Sequence, residues 1–182
     1  EQTTAKAVAS IARNAHAQAR VIEDLVDVSR IVTGKLLLRL QPVDLRVPIE
    51  AAVDVVRPSA QAKGIALDVQ LPGTNRVVSG DRDRLQQIVW NLLSNAIKFT
   101  PPGGHVSVST RERGAVYEVE VRDTGIGLAP EFLPYVFDRF RQADGSTTRE
   151  VGGLGLGLSI VKDLTELHGG TVHVSSDGMA KG

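Results

Sequence analysis

Arg82-Asp-Arg-Leu-Gln-Gln-Ile-Val-Trp-Asn91-Leu-Leu-Ser-Asn95-Ala-Ile-Lys98 reads as a single helix, with Asp81 placed to cap its first turn. At 100° per residue, Asn91, Asn95 and Lys98 fall at roughly 0°, 40° and −20° around the axis, so they form one stripe. Leu85, Ile88, Leu92 and Ala96 cluster about a third of a turn away and are the expected core face. Amide oxygens are hard neutral ligands suited to Mg²⁺, and a lysine ammonium suits phosphate oxygens. Taken alone, the stripe is better read as ordinary surface. Its neighbours change that balance.

Working outward, a strand at Tyr117/Val119/Val121 alternates with Glu118 and Glu120 and leads into Asp123-Thr-Gly125-Ile-Gly127. A carboxylate at a strand exit can accept from an exocyclic amine such as adenine N6, while glycines let backbone approach a ligand. Gly152-Gly153-Leu-Gly155-Leu-Gly157-Leu-Ser159 opens a helix expected to run from Gly157 to Leu167 and to stop at Gly169-Gly170. A glycine-rich loop feeding a helix start presents free N–H groups to phosphate. The spacing is neither Gly-x-Gly-x-x-Gly after a strand nor Gly-x-x-x-x-Gly-Lys-Ser/Thr, which disfavours dinucleotide and P-loop sites.

Upstream, residues 1 to about 38 read as one long helix. Val8, Ile11, Ala15, Gln18, Ile22, Leu25, Ser29 and Val32 alternate by three and four, an a/d seam that wants a bundle partner. Gly34 stops the periodicity. Residues 39–46, with Pro42, read as a linker, followed by a helix over roughly 47–63 that ends before Gly64. Leu67, Val69 and Leu71 mark a strand closed by Pro72-Gly73; Val106/Val108 and Val172/Val174 mark two more, and 130–156 is too irregular for one element. This order predicts an α+β fold, a two-layer α/β sandwich with a mixed or antiparallel sheet, one face covered by helices and the whole preceded by a long helix.

Composition fits that reading. With 182 residues, 42% apolar and 23% charged, the chain is long enough for a real core and unlike a disordered one. Twenty-one basic residues balance 21 acidic ones, and aromatics are 4%, so nothing points to nucleic acid. The absence of cysteine removes disulfides, thiolate zinc sites and a cysteine nucleophile. No apolar run approaches the roughly 20 residues of a membrane span, so a cytoplasmic setting is expected, with any membrane attachment lying outside these residues.

Taken together, the motifs resemble those of sensor histidine kinases, within the superfamily that also holds gyrase-type, heat-shock-90-type and mismatch-repair ATPases. Asn91 to Thr100 resembles the N box, Asp123 to Gly127 the first glycine box, Phe137-Asp-Arg-Phe140 the F box, and Gly153 to Gly157 the second glycine box. Ile22 to Arg30 resembles the second helix of the dimerisation and phosphotransfer hairpin. The resemblance implies that Asn95 holds Mg²⁺ with Asn91 assisting, that Lys98 serves the phosphates, that Asp123 reads the adenine amine and that Phe99 packs near the base. It implies that residues of about 138–152 form an ATP lid, with Phe137 and Phe140 anchoring its base and Gly153, Gly155 and Gly157 shaping its exit, and that Gly125 and Gly127 belong with them to the nucleotide-binding residues. Arg139 and Arg141 are candidate phosphate contacts, weighed against plain solvated surface.

Hydrolytic relatives carry glutamate where Asn91 stands here, and an amide cannot take a proton from water. Asn91 and Lys98 are therefore the expected catalytic residues of transfer to a histidine, working by positioning and charge. None of His16, His105, His168 and His173 has the family's acceptor context, and each is expected to be structural or solvated. The chain accordingly reads as a fragment: residues 1–38 as half a hairpin, and 47–182 as the catalytic domain without its final strand. Expected partners are ATP, a second copy through residues 8–32, a phosphoacceptor histidine helix and a response regulator receiver domain. The competing readings are a gyrase-like or chaperone-like ATPase and a catalytically silent nucleotide-binding scaffold.

Overall fold

A computed structural model describes residues 15, 18–19, 21–71, 77–114, 116–142, 154–179 and 182. The chain divides into two compact units, Glu1–Leu37 and Leu38–Gly182. The first carries helix α1 over 21–32, with further helical residues at 15 and 18–19. The helix stops short of the expected 38. Gly34 adopts a left-handed φ of 64°, and the Lys35 and Leu36 N–H groups turn back to Arg30 O at 2.8 and 3.1 Å, closing the end. On the expected seam, Ile22 is 60% and Val32 62% exposed, while Val8 and Ile11 lie outside the described residues.

The second unit orders its elements as β1 (Gln41–Asp44), α2 (Arg46–Lys63), β2 (Ala66–Gln70), β3 (Val77–Gly80), α3 (Arg82–Phe99), β4 (His105–Arg113), β5 (Val116–Asp123) and α4 (Gly157–Leu167). β2 pairs with β4 in parallel and β4 with β5 antiparallel, making a mixed sheet; β1 and β3 form a separate antiparallel pair. The expected linker at 39–46 thus supplies a strand. Val43 and Leu45 are buried there, so these residues are held by the core rather than left in solvent. Within 130–156, a single 3₁₀ turn forms at Leu133–Tyr135 among the described residues.

The layers follow from period. Val106, Val108 and Thr110 of β4 are buried, while Ser107 and Ser109 between them are half-buried. Against that face pack Ile49, Ala52, Val53, Val56 and Ala60 of α2 and Val89, Leu93, Ala96 and Ile97 of α3. Each large aliphatic side chain removed from water there contributes about 1.5–3 kcal/mol. The expected core face of α3 needs correction: Leu85, Ile88 and Leu92 are only half-buried. The buried stripe lies opposite Asn91, because α3 is covered by α2 and the sheet on one side and by α4 on another.

The strand expected at Val172/Val174 does not form, and residues 171–177 are irregular. Alternation supplies a half-buried face but not a ladder partner. This end is tied down instead by Ser176 Oγ, which accepts from Leu128 N–H at 3.0 Å and donates to Gly182 O at 2.8 Å, and by the Gly182 N–H, which donates to Gly125 O at 3.2 Å.

Candidate functional site

The site is built around the second half of α3. Asn91 is 4% exposed, and its amide Nδ2 has no hydrogen-bond partner. Asn95, one turn on, is half-buried, as are Lys98 and Phe99. Opposite them stands the start of α4. A Cβ on Gly157 would lie 3.2 Å from Asn91 Oδ1 and 3.6 Å from Asn95 Nδ2, so glycine sets how closely the helix start meets the two amides. Leu156, at the N-cap of α4, makes no side-chain cap, and no acidic residue lies in the first turn. The positive pole of α4 is therefore not offset by either among the described residues, and a helix start of this kind suits an anion.

A half-turn about the last bond of Asn91 exchanges its amide atoms, so the unpartnered position can offer either a donor or a neutral oxygen. Among the described residues no group of three or more His, Cys, Asp or Glu could hold a metal. A hard cation taken up here would lean on amide oxygens and bring the rest of its ligands with it.

The second wall leaves the sheet at the end of β5. Asp123 is half-buried, and burial raises its carboxyl pKa above the ordinary range, against the pull of the Gly125 N–H, which donates to Oδ1 at 2.9 Å. Gly125 owes its place to proximity. A Cβ there would fall 2.5 Å from Asp123 Oδ1 and 2.8 Å from Phe99 O. The Ile126 N–H donates to Phe99 O at 3.2 Å, so this loop is fastened to the end of α3. Gly127 takes a φ of 67°, a conformation that glycine adopts without strain.

Lys98 holds its ammonium 4.7 Å from the centre of the Phe99 ring, and burial lowers its pKa. A group that the sequence did not single out holds this end of the helix. Lys63, in the last turn of α2, donates from Nζ to Ile97 O at 2.8 Å and Lys98 O at 2.7 Å. The Thr100 N–H and Oγ1 take Ala96 O, and Ile126 takes Phe99 O, so each of the last four carbonyls of α3 has a partner. A basic residue near a helix C-terminus is common, and nothing local shows that it serves another helix.

The loop after β5 is less uniform. Phe137 is half-buried, as befits an anchor, but Phe140 is 61% exposed. Its backbone does the fastening instead, with φ at 62° and its N–H donating to Gly155 O at 3.0 Å. Gly155, at φ 69°, lies so close that a Cβ would meet Arg141 O at 2.7 Å. Both candidate arginines have partners here: Arg139 pairs with Asp163 of α4 at 2.7 Å, and Arg141 lies 4.3 Å from the Tyr135 ring centre. Residues 143–153, including Gly153 and most of the expected lid, lie outside the described residues.

A family model described as "Histidine kinase-, DNA gyrase B-, and HSP90-like ATPase" matches residues 80–182. Hybrid signal transduction histidine kinase D of Dictyostelium discoideum is 37% identical over 213 residues, covering 100% of this chain and 14% of that protein. Histidine protein kinase DivJ of Caulobacter vibrioides is 39% identical over 156 residues, covering 86% of this chain and 26% of DivJ. The chain therefore spans about a quarter or less of these two relatives. Among solved structures, full-length ShkA in complex with AMPPNP is 28% identical with a TM-score of 0.79, covering 94% of this chain and 35% of that one. The mycobacterial sensor histidine kinase MprB is 34% identical with a TM-score of 0.62, covering 71% of this chain and 80% of that one. No helix among the described residues is long and apolar enough to cross a membrane.

Proposed function

The chain belongs to the histidine kinase-, DNA gyrase B- and HSP90-like ATPase family, and from that premise we propose that it is the ATP-binding kinase region of a sensor histidine kinase. One observation carries the reading: a buried asparagine amide with an unpartnered atom, set against the uncapped start of a helix. Leaving a buried polar group unmade costs about 1–3 kcal/mol, and a ligand would recover that cost.

In this reading the triphosphate lies between the Asn91–Asn95 stripe and the N-terminus of α4, with Lys98 on its oxygens. Its adenine is turned toward Asp123, whose free carboxylate oxygen accepts the exocyclic amine. Gly125 and Gly127 let the loop close on the base, and Phe99 packs beside it. Asn95, assisted by Asn91, would hold Mg²⁺, which screens phosphate charge when bound. Burial keeps water from weakening the Lys98 and Asp123 interactions.

The reaction is transfer of the γ-phosphoryl group to an imidazole nitrogen supplied from outside this chain. The nitrogen lone pair forms the P–N bond as the β–γ bridging P–O bond breaks, and that electron pair leaves on ADP. Asn91 cannot take a proton, so the position where hydrolytic relatives have a base offers water no activation. That favours transfer over the gyrase-like reading. Phosphate then passes to a response regulator receiver domain. Pairing of two copies through residues 8–32 follows from the seam, whose described apolar members are exposed in the single chain.

The test is calorimetry with Mg·ADP and the full-length protein. Asn95→Ala and Asp123→Ala should each weaken binding by at least about tenfold, as loss of a charge-assisted contact requires. Unchanged affinity in both would overturn the assignment. Steady-state ATP hydrolysis that does not depend on an acceptor histidine would restore the ATPase reading.

A further inference from the structure

Asp81 gathers the N-terminal end of α3. Its Oδ1 accepts from the Asp83 and Arg84 N–H groups at 3.1 and 3.3 Å, and its Oδ2 from the Arg39 N–H at 2.9 Å. Its own backbone N–H points the other way and donates to His168 Nε2 at 3.0 Å. An N–H can only donate, so Nε2 must be the unprotonated nitrogen. The proton then sits on Nδ1, which lies 2.7 Å from Leu164 O and donates to it. His168 is half-buried, and a Cβ on the neighbouring Gly80 would lie 3.4 Å from its Cδ2. The ring therefore bridges the last turn of α4 to the cap of α3.

The other end of α4 meets the middle of α3 at the candidate site. Asn91 lies ten residues beyond Asp81, and His168 eleven beyond Gly157, spans of about 15 and 16 Å at 1.5 Å per residue. The helices run antiparallel, and the eleven residues of α4 span about the same length as the stretch of α3 from its cap to Asn91. One end is fixed by an imidazole with both nitrogens used; the other meets at Gly157 across a gap too small for a comfortable methyl group. A rigid helix held at one end transmits a small shift to the other.

We infer that His168 is a positioning residue for the nucleotide site, holding α4 on α3 so that Gly157 and its N–H groups face Asn91 and Asn95 at the spacing ligand binding needs. The inference rests on the reading above that nucleotide binds between these elements. It also gives a use to a histidine whose two ring nitrogens are already committed, so that His168 is not free to accept phosphate in the folded domain.

The full-length protein tests this in two ways. Calorimetry with Mg·ADP should show His168→Leu, which keeps bulk but no polar atom, binding about five- to tenfold more weakly. His168→Gln, whose amide supplies one acceptor and one donor, should return affinity to within about twofold. A solely structural role would lower the melting temperature of apo His168→Leu and leave the affinity of its folded fraction unchanged, which overturns the inference. Independently of any variant, imidazole ¹⁵N shifts of the wild type should show the Nδ1–H tautomer; an Nε2–H tautomer overturns it. Wild-type protein that binds no nucleotide overturns the reading of the site and this inference with it. Wild type that binds, with folded His168→Leu binding equally tightly, overturns this inference alone.

Discussion

The two ends of α3 are finished by different chemistry. At the start, Asp81 caps its own helix from the position next to it, two N–H groups on one carboxylate oxygen. At the finish, the carbonyls of Ile97 and Lys98 depend on Lys63, which belongs to another helix and lies 34 and 35 residues away in sequence. The helical N–H groups at the start are closed by a local device, to which Arg39 and His168 attach from elsewhere without serving as the cap. The finish holds only while α2 and α3 stay packed, so the end carrying Lys98 and Phe99 is tied to the integrity of the core. The proposed site thereby draws on the end that the fold has to complete.

That contrast is broken most directly at Lys63. Lys63→Met retains the apolar stem but leaves two partly buried carbonyls without their charged donor. A charge-assisted hydrogen bond is worth about 1.5–3 kcal/mol, so chemical denaturation should show a loss of about 2–3 kcal/mol. Lys63→Arg should recover part of it. A loss below about 0.5 kcal/mol for Lys63→Met would mean that water replaces the ammonium and that the finish is no more dependent on packing than the start.

Asp81→Ala should cost less, about 1–2 kcal/mol, the range for N-cap removal. The acid limb supplies a sign. Burial alone would raise the Asp81 carboxyl, but the Arg39, Arg84 and Asp83 N–H groups and the Arg84 charge outweigh it and hold the folded pKa below the ordinary 3.8. A depressed folded value means that the stabilisation is complete above the unfolded pKa and is lost as pH falls through the folded one. The difference between wild type and Asp81→Ala should therefore be constant from neutrality down to about pH 5 and shrink below 3.8. A difference that shrinks well above pH 5 would contradict the carboxylate's part in the cap.

The same contrast explains what could be read from sequence. The cap was legible because an N-cap acts over three residues, and the stripe of Asn91, Asn95 and Lys98 because a helix has one period. Lys63 was not, since nothing local marks a lysine that reaches across to another helix. β1 and β3 were missed for a related reason: each is four residues long, and Val43 and Leu45 are fixed by a core assembled from elsewhere. At Val172 and Val174 the alternation was present but no ladder formed. The core face of α3 was placed too near the polar stripe, because one helix's pattern does not tell which neighbours will cover it. The resemblance supplied an expectation that spacing alone did not, namely that the four boxes serve one cavity.

Between the two ends lies Gly157, where stability and binding should part company. Alanine in the first turn of α4 gains up to about 0.5–1 kcal/mol of helix propensity over glycine. Its methyl group would sit 3.2 Å from Asn91 Oδ1, so the amide must give way by a few tenths of an ångström. Gly157→Ala should leave the apo protein as stable as wild type or slightly more so, and weaken Mg·ADP by about fivefold. Equal affinity would show that the approach of α4 to the amides does not set the cavity.

The smallest effect expected is at Thr100, and it measures how complete the finish of α3 is. Thr100 is fully buried, and its Oγ1 donates to Ala96 O at 2.7 Å, but that carbonyl already accepts the Thr100 N–H at 3.0 Å. Thr100→Val replaces the hydroxyl with a methyl group of similar size and leaves Ala96 O with one partner. Removing a donor costs most when the acceptor is left bare, which does not happen here, so the loss should stay below about 1 kcal/mol. The same urea titration distinguishes the two residues at this end. If Thr100→Val cost as much as Lys63→Met, the redundancy at Ala96 O would be worth nothing. The finish of α3 would then depend on every donor it has, rather than on the ammonium that α2 supplies.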